Sequence, residues 1–101
     1  DLAKLVATPD TVTIYNVAVT GANTEYSQVL PANTKRFMVH LRDNAAFRLA
    51  FVTGKVATPT APYFSVPANM AYSEDGINPA ASTLYFASAV ATKTAEIIAW
   101  S

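Results

Sequence analysis

Lys35-Arg36-Phe37-Met38-Val39-His40-Leu41-Arg42 decides the fold. Apolar and polar side chains alternate along it: Phe37, Val39 and Leu41 fall on one face, Arg36, Met38, His40 and Arg42 on the other. A period of two is the signature of a strand with one buried face. Asp43-Asn44 then turns the chain, and Phe47, Leu49 and Phe51 form a second apolar row with Arg48 opposite. Lys35–Arg42 and Ala46–Val52 are therefore expected to pair as a hairpin.

Working outward, the same signals recur. Thr11–Val19 (TVTIYNVAV) is rich in β-branched residues, with Val12 and Ile14 on one face and Thr11, Thr13 and Tyr15 on the other. Thr24–Leu30 follows a Thr20-Gly21-Ala22-Asn23 turn. Tyr63–Val66, Met70–Ser73, Thr83–Ala89 and Thr94–Trp100 supply later strands. Gly54–Pro62, with two prolines, reads as a loop or edge segment. About eight short strands separated by turns predict an all-β fold, an antiparallel β-sandwich of jelly-roll-like form. Residues 11–101 make that domain and residues 1–10 an N-terminal arm, with a helix conceivable only at Leu2–Ala7. The tripeptide Pro-Ala-Asn occurs at Pro31–Asn33 and Pro67–Asn69. Pro sets φ for a corner and Asn tolerates the left-handed conformation, so each copy is expected to join two antiparallel strands.

Composition narrows the function. Of the 51% apolar residues, 19 are Ala, which points to a thin core and to Ala on exposed strands or flat contact surfaces. Seven basic residues balance seven acidic ones without clustering, which argues against a nucleic-acid partner and a polybasic membrane site. There is no Cys, which excludes disulfides and thiolate chemistry, and no apolar run approaches the roughly 20 residues of a membrane helix.

The motifs of catalysis are not assembled. His40 is the only histidine base, and no Gly-x-Ser-x-Gly elbow accompanies it. Gly21, Gly54 and Gly76 are isolated and make no phosphate-cradling loop. Ser73–Asn78 (SEDGIN) lacks the alternating Asp/Asn of a calcium loop and reads as a solvated turn. Glu25, Glu74, Asp75 and Glu96 are too few for a carboxylate pair once ordinary surface charges are allowed for. Catalytic residues, cofactors and metals are all expected to be none, and the chain is expected not to be an enzyme. Tyr15, Tyr26, Tyr63, Tyr72, Tyr85 and Trp100 keep a carbohydrate-binding module as an alternative, since sandwiches bind sugars with aromatics beside polar groups. The commoner use of Tyr is as amphipathic filler at edges and interfaces.

From about Thr24 to Ser101 the order of segments is a polar Tyr-Ser strand, a Leu-Pro-Ala turn, TKRFMVHLRDNAAFRLAF, Tyr63-Phe64-Ser65-Val66-Pro67-Ala68, Tyr72-Ser73-Glu74-Asp75, Thr83–Ser88 and Ala95–Trp100. This order resembles small all-β virion-associated proteins of tailed bacteriophages. The resemblance implies a non-enzymatic structural protein located in the virion, foremost a capsid decoration or cement protein bridging coat subunits, or else a neck, tail or fibre-attachment component. It implies the major capsid protein or other virion subunits as partners and a homo-oligomer, trimer or dimer. Leu2, Leu5 and Val6 of the arm, together with Arg36, His40, Arg42, Arg48 and Tyr72, are the expected interface residues. Arg36, Arg42 and Arg48 are expected on neighbouring strands, where they serve either cross-strand ion pairs or intersubunit contacts.

Overall fold

The period-two stretches become strands because each has one apolar row to bury. In the computed structural model, which describes residues 11–75 and 82–101, these are β1 (Val12–Val19), β2 (Tyr26–Val29), β3 (Arg36–Leu41), β4 (Phe47–Ala50), β5 (Phe64–Val66), β6 (Tyr72–Asp75), β7 (Thr83–Ala87) and β8 (Lys93–Trp100). Residues 1–10, where the arm with Leu2, Leu5 and Val6 and a helix at Leu2–Ala7 are expected, lie outside the described residues.

The strands form two antiparallel four-stranded sheets, ordered β1-β8-β3-β6 and β2-β7-β4-β5. Every connection except β4–β5 carries the chain from one sheet to the other, and this order is that of a jelly roll. The core lies between the sheets. Phe37, Val39, Leu41, Ala95, Ile97 and Ala99 come from one side, and Phe47, Leu49, Val66, Leu84 and Phe86 from the other.

The expected hairpin of Lys35–Arg42 with Ala46–Val52 does not form. β3 and β4 belong to different sheets and face each other across the core. The Asp43-Asn44 turn does reverse the chain, but across the core and not within one sheet. Asn44 takes a φ of 63°, its N–H donates to the Leu41 carbonyl at 2.8 Å, and the Ala45 N–H donates to Asp43 Oδ1 at 3.2 Å. The second row is also shorter than expected. β4 ends at Ala50, and Phe51 is half-exposed.

Both Pro-Ala-Asn corners hold their Asn in the expected left-handed conformation, with φ of 64° at Asn33 and 66° at Asn69. They do not close hairpins, however. The first leads from β2 to β3 and the second from β5 to β6, each from one sheet to the other. Thr34 seals the first corner, its buried hydroxyl donating to the Pro31 carbonyl at 2.6 Å.

Alanine has two uses rather than one. Ala50, Ala87, Ala95 and Ala99 are fully buried. On β8 they sit beside large neighbours, Ala99 opposite Phe37 and Ala95 opposite Leu41. Alternating small and large side chains lets the layer fill without voids. Others are exposed, Ala18 on a strand as expected, Ala22 and Ala32 in turns.

Two outcomes test this packing. Ala99→Leu forces extra methylenes against Phe37 and is expected to cost about 1–3 kcal/mol, read from urea unfolding. Asn33→Ala and Asn69→Ala each place an ordinary side chain at positive φ and are expected to cost about 1 kcal/mol, whereas the Gly variants at these positions cost less than the Ala variants.

Candidate interaction surfaces

The two sheets differ in what covers their outer faces. Over β2-β7-β4-β5, the β4–β5 connection folds back and buries Val56 against Ala50, Ala87 and Tyr85. Arg48 clamps it. Its Nε donates to the Val56 carbonyl at 2.7 Å, and its Nη2 donates to Asn23 Oδ1 at 2.9 Å. Glu25 holds the loop's start, accepting from Gly54 N–H at 2.8 Å and Thr53 Oγ1 at 2.7 Å. Gly54 has a φ of +86° there, a conformation that L side chains rarely adopt. Arg48 is thus spent on its own chain, and it lies on the opposite sheet from Arg36 and Arg42, not on a neighbouring strand.

The outer face of β1-β8-β3-β6 is open among the described residues. Strand register places its side chains in rows: Val12, Trp100, Arg36 and Asp75; then Ile14, Ile98, Met38 and Ser73; then Asn16, Glu96 and His40. Apolar groups hold the middle. Val12 and Ile14 are 54% and 64% exposed, although an apolar pair on a strand is ordinarily turned inward. It is Tyr15, Val17 and Val19 that β1 turns to the core. A shallow depression of about 230 Å³ is lined by Ile14, Met38, His40, Glu96, Ile97 and Ile98.

Charged groups border this apolar strip. Glu96 takes His40 Nε2 at 2.9 Å on one oxygen and Arg42 Nε at 2.9 Å on the other. Arg42 Nη2 also donates to Asn16 Oδ1 at 3.1 Å. At the other end the Arg36 guanidinium stacks on Trp100, 4.7 Å from the ring centroid. Of the expected interface residues, the structure therefore brings Arg36, His40 and Arg42 together on one face.

Tyr72 is elsewhere. It is half-buried on the inward side of β6, its ring centroid 5.9 Å from that of Phe37 and 5.4 Å from that of Phe64. Its hydroxyl donates to Glu74 Oε2 at 2.7 Å, a bond to the carboxylate that raises the phenol's pKa. Phe64 and Tyr72 close the β5/β6 side of the sandwich. Phe64 is itself exposed, and with the exposed Phe51, Val52 and Tyr63 beside it forms a second apolar surface that sequence reasoning missed. The signal for it was faint: aromatic residues flanking the two prolines of an edge segment.

Among the described residues no three His, Asp or Glu side chains converge on a metal position. Gly76, Ile77 and Asn78 of the SEDGIN turn lie outside them. No buried side-chain nitrogen or oxygen is left without a partner among the described residues. The sugar-binding candidates are largely engaged within the fold. Tyr15 and Tyr72 pack on the core, Tyr26 Oη accepts from the Gly21 N–H at 2.8 Å, and Trp100 lies under Arg36.

The fold is that of an all-β, eight-stranded double-sheet protein, and comparison agrees. No family model and no curated protein matches the chain. A de novo designed double-stranded β-helix solved by solution NMR is similar to it, with a TM-score of 0.54 and 11% identity, covering 90% of this chain and 99% of that one. At such identity the likeness concerns the fold alone.

Two carboxylates paired with cations, Glu96 with Arg42 and Asp43 with Lys93, predict an acid response. The Arg42 hydrogen bond holds Glu96 below the usual carboxylate range, and the Lys93 hydrogen bond does the same for Asp43. A pKa lowered by folding contributes stability above the unfolded pKa, about 4, and that contribution is lost as pH falls through the folded value. Unfolding by urea at pH 7 and pH 3 is expected to show wild type losing more stability on acidification than an E96Q/D43N double variant.

Proposed function

We propose that the chain is a non-enzymatic structural subunit of a tailed-bacteriophage particle, of the capsid decoration type, which binds the shell and bridges coat subunits. Its partners are then the major capsid protein or another virion subunit, together with further copies of itself, as a dimer or trimer. The observation that supports this most is the outer face of β1-β8-β3-β6, uncovered among the described residues, with Ile14, Ile98 and Met38 at its centre and Arg36, His40, Arg42 and Glu96 at its border. An apolar centre within a polar rim is the anatomy of a protein interface. The apolar β5/β6 surface lies on another side of the sandwich, and bridging requires at least two places of attachment. A neck, tail or fibre-attachment role would use the same surfaces.

Antibody against the chain, applied to purified particles of the phage, is expected to label the outside of the shell. Label on the neck, tail or fibres would move the subunit within the particle, and particles without label would overturn the reading. Binding to a glycan array without binding to particles would instead favour a carbohydrate module. On shells stripped of the chain, Met38→Glu and Ile98→Glu are expected to weaken rebinding by roughly a hundredfold, because each buries an unpaired charge. Both positions face outward, so thermal stability is expected to change little.

A further inference from the structure

A sandwich of two open sheets has four edge strands, and an unpaired edge is a template for another chain. Three of these edges are blunted. β6 ends in Glu74-Asp75. β5 is three residues long, between Pro62 and Pro67. β2 is four residues long, and the Gln28 side-chain amide donates to the Val29 carbonyl at 2.9 Å. β1 has none of these devices. It is eight residues long, VTIYNVAV, with no charge, no Pro and no Gly.

One mutual pair at the foot of β1 sets the hydrogen-bond parity of the whole strand. Thr11 and Ser101 exchange both of their backbone bonds at 2.9 Å. In an antiparallel ladder such mutual pairs recur at every second residue, so Thr13, Tyr15, Val17 and Val19 bond to β8. Val12, Ile14, Asn16 and Ala18 turn their N–H and C=O groups to the outer edge, where no strand pairs with them among the described residues. The side chains of these same four residues lie on the open outer face.

We propose that this edge pairs with its own copy: β1 of two subunits joins antiparallel about a two-fold axis at Tyr15, merging two four-stranded sheets into one of eight. The register uses all four outward residues of each strand. Val12 pairs with Ala18 of the partner subunit and Ile14 with Asn16 of the partner subunit. Like charges never meet, because the strand carries none. The exposed Ile14 lies across from the partner's Asn16 and diagonal to the partner's Ile14, so at the seam each subunit's apolar row through Ile98 and Met38 abuts the other subunit's polar row. An isologous contact of this kind closes with two subunits, so it selects the dimer over the trimer. The inference takes up the self-association in the preceding reading and is tested without any particle, so that either can fail alone.

The test is sedimentation equilibrium of the full chain with amide hydrogen exchange read by NMR across a dilution series. The expected result is a dimer in which the Ile14 and Asn16 amides exchange slowly and become fast on dilution, while the Tyr15 and Val17 amides stay protected by β8 throughout. Ile14→Pro removes an N–H that the β8 ladder does not use, and is expected to weaken dimerisation roughly tenfold or more with circular dichroism unchanged. Ile14→Lys, which retains the N–H but adds an edge charge, serves as the second variant if the proline disturbs the fold. Four outcomes would overturn the proposal: a monomer at every concentration, a dimer whose Ile14 and Asn16 amides exchange as fast as in the monomer, protection of those amides in the dilute monomer, or undiminished dimerisation of I14K.

Discussion

The molecule depends on how β8 fits between β1 and β3. Its inward row is small-large-small, Ala95, Ile97 and Ala99, each buried. The two alanines leave room for Leu41 and Phe37 of β3 beside them, while Ile97 fills the centre between Tyr15 and Val39. Protein interiors pack at crystalline density, so a layer this thin is sensitive to a single methylene. The same arrangement explains why so alanine-rich a chain can form a core at all: alanine acts as a spacer for a few large side chains rather than as the source of buried area.

Local alternation was legible and lateral placement was not. Phe37, Val39 and Leu41 announced a half-buried strand, and β3 is that strand with those residues inward. Whether its neighbour in sequence lies beside it or across from it leaves no trace in the alternation, because both arrangements send Phe47 and Leu49 to the same core. The hairpin expectation failed for that reason. Asn33 and Asn69 were legible as left-handed corners, since that property belongs to the residue itself. The strands they connect depend on the whole sheet order.

The candidate surface divides in the same way. Arg36, His40 and Arg42 were readable as outward because they alternate with the buried row. Arg48 alternates just as cleanly, yet a loop from its own chain covers it, and only the fold of residues 51–62 decides that. Val12 and Ile14 mislead in the opposite sense. They are the kind of pair a core would claim, and the structure leaves them outside while Tyr15 goes in. Among the described residues, one sheet thereby has an outer face partly covered by its own chain, and the other has an outer face left open. The proposed interaction role rests on that asymmetry.

The crossing connections have a consequence for biosynthesis. β1 and β3 are joined in the sheet only through β8, the last strand of the eight. Until Lys93–Trp100 has been translated, the central seam of that sheet does not exist, and the apolar rows of β1 and β3 have no shared neighbour. Contacts so distant along the chain make for slow assembly. The nascent chain therefore holds the apolar rows of β1 and β3 without their shared neighbour until β8 emerges, and any truncation that removes β8 separates the two halves of the sheet instead of trimming an edge.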